Sequence, residues 1–287
     1  MKRILLLVLA LTLVIGTMTG CGKTSDNTPS GGTSTPSDTS STTSTPGGTD
    51  STSKPAESGL VSKVGDTASY GTYNGQPIEW QTLAVETSDK EHQRALLISK
   101  EIVSYWVFNG ENKDITWENS TIRQWLNSDF YTAAFTDEQK AKILESYIDN
   151  PANSGIGGGA NTKERVFLLS LEEVTKYFTG DGARSVKYNA SQAQMEALAK
   201  AISEAGNKDN WSSKQSYDEV LADLNSFNGT TDRWWLRTSG GDLGRAANIS
   251  YDGSLDTTGA KVYQLEGFRP AIWVDITPED ESGGTSN

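Results

Sequence analysis

The feature that most restricts this chain is the stretch from which aromatic residues are missing. None occurs before Tyr70, so all 8 Trp, 10 Tyr and 7 Phe of the 287 residues fall at or beyond it. Between Thr24 and Ser58, 28 of 35 residues are Ser, Thr, Pro or Gly, and none is a large apolar residue. Such a segment buries too little surface to offset its ordering entropy, which predicts a disordered linker. A flexible chain of that length spans roughly 30–35 Å r.m.s.. A folded core therefore has to come from the remainder, which is long enough for one sizeable domain.

Charge and reactive side chains remove several classes of function. A formal net charge of −12 repels phosphate, so no nucleic-acid partner is expected. One Cys allows neither an intrachain disulfide nor a thiolate zinc site, and one His allows no multi-histidine metal centre. No cofactor is implied.

The N-terminus reads as an address. Lys2 and Arg3 precede Ile4 to Ile15, which is apolar apart from Thr12. That run is shorter than the ~20 residues a membrane span needs, and it suits the h-region of a signal peptide. Met18-Thr19-Gly20-Cys21 follows and resembles a bacterial lipobox, whose cysteine is lipidated and becomes the first residue. The resemblance implies a signal peptide over 1–20 and membrane attachment through lipid on Cys21, on the extracytoplasmic face of a bacterial cell. Removing Lys2 and Arg3 with the signal takes two positive charges from −12, giving −14. Electrostatic adsorption to anionic lipid is then disfavoured, and attachment rests on the acyl chains.

Residues 21–59 form the lipidated Cys and linker, 60–276 the domain, and 277–287 an acidic tail expected to fray. Within the domain, Ala68 to Tyr73 and Ile78 to Val85 read as strands joined by a type I′ turn at Asn74-Gly75. Arg94 to Ser99 reads as a strand buried on both faces. Ser120 or Asn119 caps a helix presenting Ile122, Trp125 and Leu126. Thr136 with Gln139 opens a helix expected to carry Ile143 and Leu144. The Gly-rich run from Asn153 to Ala160 lacks the Lys-Ser/Thr of a phosphate loop and reads as a flexible surface loop. Val166 to Leu169 is expected as a buried strand, with Ser170 capping the helix after it. Met195, Leu198, Ala199 and Ile202 mark a helix ending at Gly206, and Ser216 opens a second with Val220, Leu221 and Leu224. Strands return at Trp234–Arg237, Ala246–Tyr251, Lys261–Gln264 and Gly267–Asp275, with Pro270 implying an edge or bulge. Strands, then helices, then strands describe a single α+β domain with an inserted helical pair.

Five blocks occur in order: Gly75-Gln76-Pro77-Ile78-Glu79-Trp80, Thr116 to Ser120 leading to Ile122 to Asn127, Val166 to Ser170, Trp234 to Arg237, and Gly267 to Trp273. Together they resemble a bacterial family of extracellular domains of unknown function, the DUF6273 group. Ser191 to Asn228 is longer than that resemblance implies and reads as an insertion. The Trp-rich strand and terminal Gly-Phe-Arg are also similar to the C-type lectin-like fold of formylglycine-generating enzymes and retroelement-diversified binding proteins. That resemblance implies pairing of the first and last strands. The chemistry of those relatives does not carry over: the C-terminal cysteines and the histidine set are missing, and no Glu-Pro-Asn or Trp-Asn-Asp triplet occurs.

A scaffold for binding remains. Tyr105, Trp106, Trp234, Asp242, Arg245, Asn248 and Tyr251 are the expected ligand-binding residues, since aromatic faces with a few polar groups hold sugars or peptides. Arg237 and Arg269, flanked by large apolar residues, are expected to brace the sheet. Asp242, Asp252 and Asp256 are weaker candidates for calcium. No catalytic residue is assigned. His92 reads as a solvated loop residue, and no nucleophile elbow is present. The expected partners are a glycan, a peptide or another envelope protein. The alternatives are a hydrolase of envelope polysaccharide using paired carboxylates, and a structural or assembly lipoprotein without a small ligand.

Overall fold

Asn74 and Gly75 take φ values of 49° and 77°, the geometry that a type I′ hairpin demands. In the computed structural model, which describes residues 61–278 apart from 210, 213 and 214, they join β1 (Thr67–Tyr73) to β2 (Gln76–Glu86). β3 (Arg94–Ser99) follows, with five of its six residues buried. β4 (Ser104–Val107) then enters a second sheet. The signal segment, Cys21 and the linker lie outside the described residues, as do residues 279–287.

Side-chain caps set the helix starts. The Ser120 hydroxyl accepts from the Arg123 N–H and opens α1 (Thr121–Trp125), which runs through a π turn (Leu126–Phe130) into α2 (Tyr131–Ala134). Thr136 and Gln139 form a capping box at α3 (Asp137–Lys142). That helix stops short of Ile143 and Leu144. They form β5 (Ile143–Leu144), because an open strand edge stands beside them. β6 (Ser146–Ile148) and β7 (Thr162–Glu164) make a small separate hairpin. Val166 to Leu169 are buried as expected but join no ladder beyond a single bridge from Phe167 to Ala271. Capping boxes at Ser170, Ser191 and Ser216 open α4 (Leu171–Tyr177), α6 (Gln192–Lys208) and α7 (Tyr217–Phe227), with α5 (Asp181–Arg184) between the first two. α6 and α7 are the expected helical pair. α6 runs past Gly206, which is buried beside Trp211 rather than ending the helix.

The C-terminal strands are β8 (Trp234–Ser239), β9 (Arg245–Ile249), β10 (Leu255–Lys261), β11 (Leu265–Phe268) and β12 (Ala271–Asp275). The strand after the Asp252-Gly253 turn thus runs through 255–261, not 261–264. Two sheets result, ordered β1-β2-β3-β12-β5 and β10-β9-β8-β11-β4. All pairings are antiparallel except β8 with β11. The last strand sits between β3 and β5, so the first and last strands do not pair as the lectin-like resemblance implies.

Pro270 marks neither an edge nor a bulge; it marks a change of sheet. β11 pairs with β4 in one sheet and β12 with β3 in the other, so a single two-stranded ribbon bends from sheet to sheet. The Pro270 ring, lacking an N–H, costs no ladder bond at that bend. Arg269 clamps it: Nε and Nη2 both donate to the Ser99 carbonyl, at 2.9 and 2.6 Å. Its guanidinium lies over the Trp234 and Phe178 rings, 4.8 and 5.5 Å from their centroids. Arg237 likewise braces the second sheet, donating to the Leu168 and Asp149 carbonyls (2.8 Å each) and pairing with Glu173. Arg237 and Arg269 are buried, at 3 % and 1 % exposure.

The Gly-rich loop, expected to be loose, is held, and so is the first residue of the expected tail; residues 279–287 lie outside the described residues. Asn153 Nδ2 donates to the Ser239 and Thr257 carbonyls (2.9 Å each), which pins the Gly-rich loop onto β8 and β10. The Thr277 hydroxyl accepts from the Gln93 N–H (3.0 Å), so ordered packing runs past 276. Among the described residues no helix is long and apolar enough to cross a membrane.

Candidate functional site

Gly267 stands opposite Trp234 in the parallel β8/β11 pair. The residues just before each, Arg233 and Glu266, are thereby brought together at one end of the second sheet. The approach depends on the glycine: its N–H donates to the Arg233 carbonyl at 3.1 Å, and a Cβ there would meet that oxygen at 2.7 Å. β9 ends at the same place because Ile249 pairs with Trp234, and the turn after it carries Tyr251 to the rim. Phe227 at the end of α7, Thr231, Asp232, Gln264 and Leu265 complete a pocket of about 380 Å³, within the range of small-molecule sites.

Two carboxyl groups face this pocket in different surroundings. Asp232 accepts from the Tyr105 hydroxyl at 2.7 Å. Burial, and then the Asp232 charge, push the Tyr105 phenol far above its usual range, so it stays a donor. Glu266 is only 5 % exposed and accepts from Asn248 Nδ2 at 2.9 and 3.2 Å. Burial pushes its carboxyl up to about 8, against the opposing pull of Arg233 and the Asn248 amide; Asp232 and Asp256 add to the rise. Near neutral pH Glu266 is therefore mostly a neutral acid. The Asn248 Oδ1 beside it is buried without a donor. Arg233 is exposed and its guanidinium makes no ion pair among the described residues. Tyr251 is 59 % exposed, leaving ring surface free at the rim. A perturbed carboxyl, an unpaired cation and an open aromatic ring around one cavity are the features of a functional site.

The residues expected to bind ligand divide into three groups. Tyr251 lines the pocket. Tyr105 and Asn248 are buried and cannot touch a ligand, but each stands one contact behind, holding Asp232 and Glu266 respectively. The other four lie outside the pocket lining. Trp234 is fully buried, its indole N–H donating to the Arg184 carbonyl. The Trp106 ring is sandwiched by neighbours, stacked on Trp125 at 4.7 Å and met edge-on by Trp211 at 5.4 Å. Asp242 and Arg245 face each other at 3.6 Å and serve their own turn: Asp242 accepts from the Gly244 N–H and Arg245 donates to the Gly259 carbonyl.

The calcium candidates are not brought together either. Asp252 accepts from Ser254, and Asp256 from the Gly259 N–H, each closing a local turn. Among the described residues no group of three or more His, Cys, Asp or Glu side chains could hold a metal. His92 is exposed and paired with Asp89, as expected of a loop histidine. A second hollow of about 240 Å³, at Gln76–Glu79 and Ser99–Val103, has its Glu101 carboxylate already bonded by Asn189 Nδ2.

Sequence reasoning missed Asp232, Arg233, Gln264 and Glu266. Glu266 carried a signal: it is a lone charge inside Leu265-Glu266-Gly267-Phe268, a stretch otherwise patterned as buried strand. Such a charge is either paired or kept neutral.

The described residues thus form an α+β domain whose two five-stranded sheets are joined by a bent ribbon, with a polar-and-aromatic pocket at one sheet end. The model of a domain of unknown function, DUF6273, matches residues 92–276, and the chain belongs to that family. No curated protein and no solved structure matches the chain.

Proposed function

We propose that this chain is a lipoprotein, anchored through Cys21 on the extracytoplasmic face of a bacterial membrane, whose DUF6273 domain is a non-catalytic binding module for a glycan, a peptide or another envelope protein. The observation that carries the reading is the pocket at Asp232, Arg233, Tyr251 and Glu266, which holds exposed ring surface, an unpaired guanidinium and carboxyl groups braced from behind. The bracing favours recognition, because preformed polar groups bind without a cost of ordering. The test is capture of cell-wall fragments and envelope extract by the purified protein. Tyr251→Ala and Arg233→Ala change exposed side chains, so the expected result is at least tenfold weaker capture at an unchanged melting temperature. Equal capture by both variants would remove the pocket from the account.

One observation favours the hydrolase as a second reading: Asp232 and a largely protonated Glu266 share a cavity, the division of labour that acid–base hydrolysis needs. Release of reducing ends from polysaccharide by the wild type, abolished in Glu266→Gln, would establish that reading and end the non-catalytic one.

A further inference from the structure

Building on the binding-module reading, we infer that the pocket takes an uncharged pyranose ring, its apolar face on Tyr251 and its hydroxyl edge toward Asp232, Arg233 and Gln264. Three observations converge on this ligand class. The first is charge. Asp232 and Arg233 are adjacent and opposite in sign, and burial favours the neutral form of Glu266, so neither sign of charge dominates the cavity. The chain around it is strongly acidic, at −12 overall, which opposes polyanions at long range. The second is the mixture of donors and acceptors. The Arg233 guanidinium donates only, the Asp232 carboxylate accepts only, and Gln264, whose Oε1 already accepts from the Lys261 N–H at 3.0 Å, adds the donors of its Nε2. A row of hydroxyls, each able to donate and accept, satisfies all three at once; an isolated amine or carboxylate satisfies one and confronts a like charge at another. The third is shape. Tyr251 lies more than half exposed at the rim, and Phe227 and Leu265 add partly buried apolar surface. A flat C–H face packs on such a ring while its polar edge points elsewhere.

The pocket is also stiff where it needs to be. Tyr105 fixes Asp232 from β4, and Asn248 fixes Glu266 from β9, so the polar groups are supported by buried side chains on two strands. Such support keeps the hydrogen-bonding edge in place when a weakly held sugar arrives.

The experiment is saturation-transfer NMR followed by calorimetric titration of the full mature protein. The probes are methyl glycosides of glucose, galactose, mannose and N-acetylglucosamine, with glucuronate and glucosamine as anionic and cationic counterparts. At least one neutral glycoside is expected to bind in the millimolar range, at least tenfold more tightly than either charged sugar. Tyr251→Ala and Arg233→Ala should each weaken it at least tenfold with an unchanged melting temperature, whereas Tyr147→Ala, exposed on the separate small hairpin, should leave it unchanged. Equal binding of charged and neutral sugars, or full affinity in Tyr251→Ala, would overturn the inference. If no sugar binds while an envelope peptide or protein binds in a Tyr251-dependent way, the sugar inference fails and the binding-module reading stands. If nothing binds through Tyr251, both fail.

Discussion

Glu266 and Arg269 are the two residues in which burial opposes charge most directly, and they resolve the conflict in opposite ways. Glu266 is pushed up to about 8 from an ordinary 4.5, so the folded protein keeps a proton that the unfolded chain releases. Stability is then greatest below about pH 4.5 as far as this group is concerned, and its contribution is lost as the pH rises toward 8. The shift sets a ceiling of about 5 kcal/mol on that loss. Glu266→Gln should flatten the dependence: between pH 5.5 and 8 its denaturant midpoint should fall less than that of the wild type. A parallel fall in both proteins would show that Glu266 is not the titrating group. Arg269 instead stays charged and is accommodated by the Ser99 carbonyl and two aromatic faces. Lysine has no planar fork to converge on the Ser99 oxygen while stacking on both rings, so Arg269→Lys should lose about 3 kcal/mol or more in chemical denaturation. The structural roles of Arg237 and Arg269 were legible in the sequence, because a guanidinium among large apolar residues must be paired. The depth of Trp234 and Tyr105 was not, since an aromatic residue type is equally at home in a core and at a binding rim.

Among the elements, those set by local chemistry were legible. The Asn-Gly turn and the capping boxes at Thr136, Ser170 and Ser216 depend on neighbours within three residues, and all are present as expected. What failed depends on distant partners. Ile143-Leu144 leave the helix because β12 offers an edge, and Gly267 to Asp275 split at Pro270 because their two halves pair in different sheets. Gly267 is the residue on which both the strand pairing and the pocket rest. Gly267→Ala should destabilise by about 1–3 kcal/mol, as overpacking does. It should also weaken capture of envelope ligand, since Arg233 and Glu266 would be moved apart. Thermal melts and binding assays together check this, and unchanged values of both would mean that the close approach is not required.

At the scale of the whole molecule, the pocket is assembled from segments around 227–233, 251 and 264–266, which no sequence spacing brings together. The α+β class was legible because the order of elements fixes it; the pocket was not, because the parallel β8/β11 register creates it. The proposed anchor makes a separate prediction. Cys21→Ser should move the protein from the membrane fraction to the medium or leave an unprocessed precursor, as immunoblots of fractionated cells would show; unchanged detergent partitioning would contradict lipidation. The central claim is that ligand enters at the end of the second sheet. Hydrogen–deuterium exchange on the purified protein, with and without saturating cell-wall fragments, tests it most directly. Added protection should concentrate in peptides covering Thr231–Arg233, Tyr251 and Gln264–Glu266. Protection centred instead on Trp106 or Asp242, or none despite capture, would contradict it.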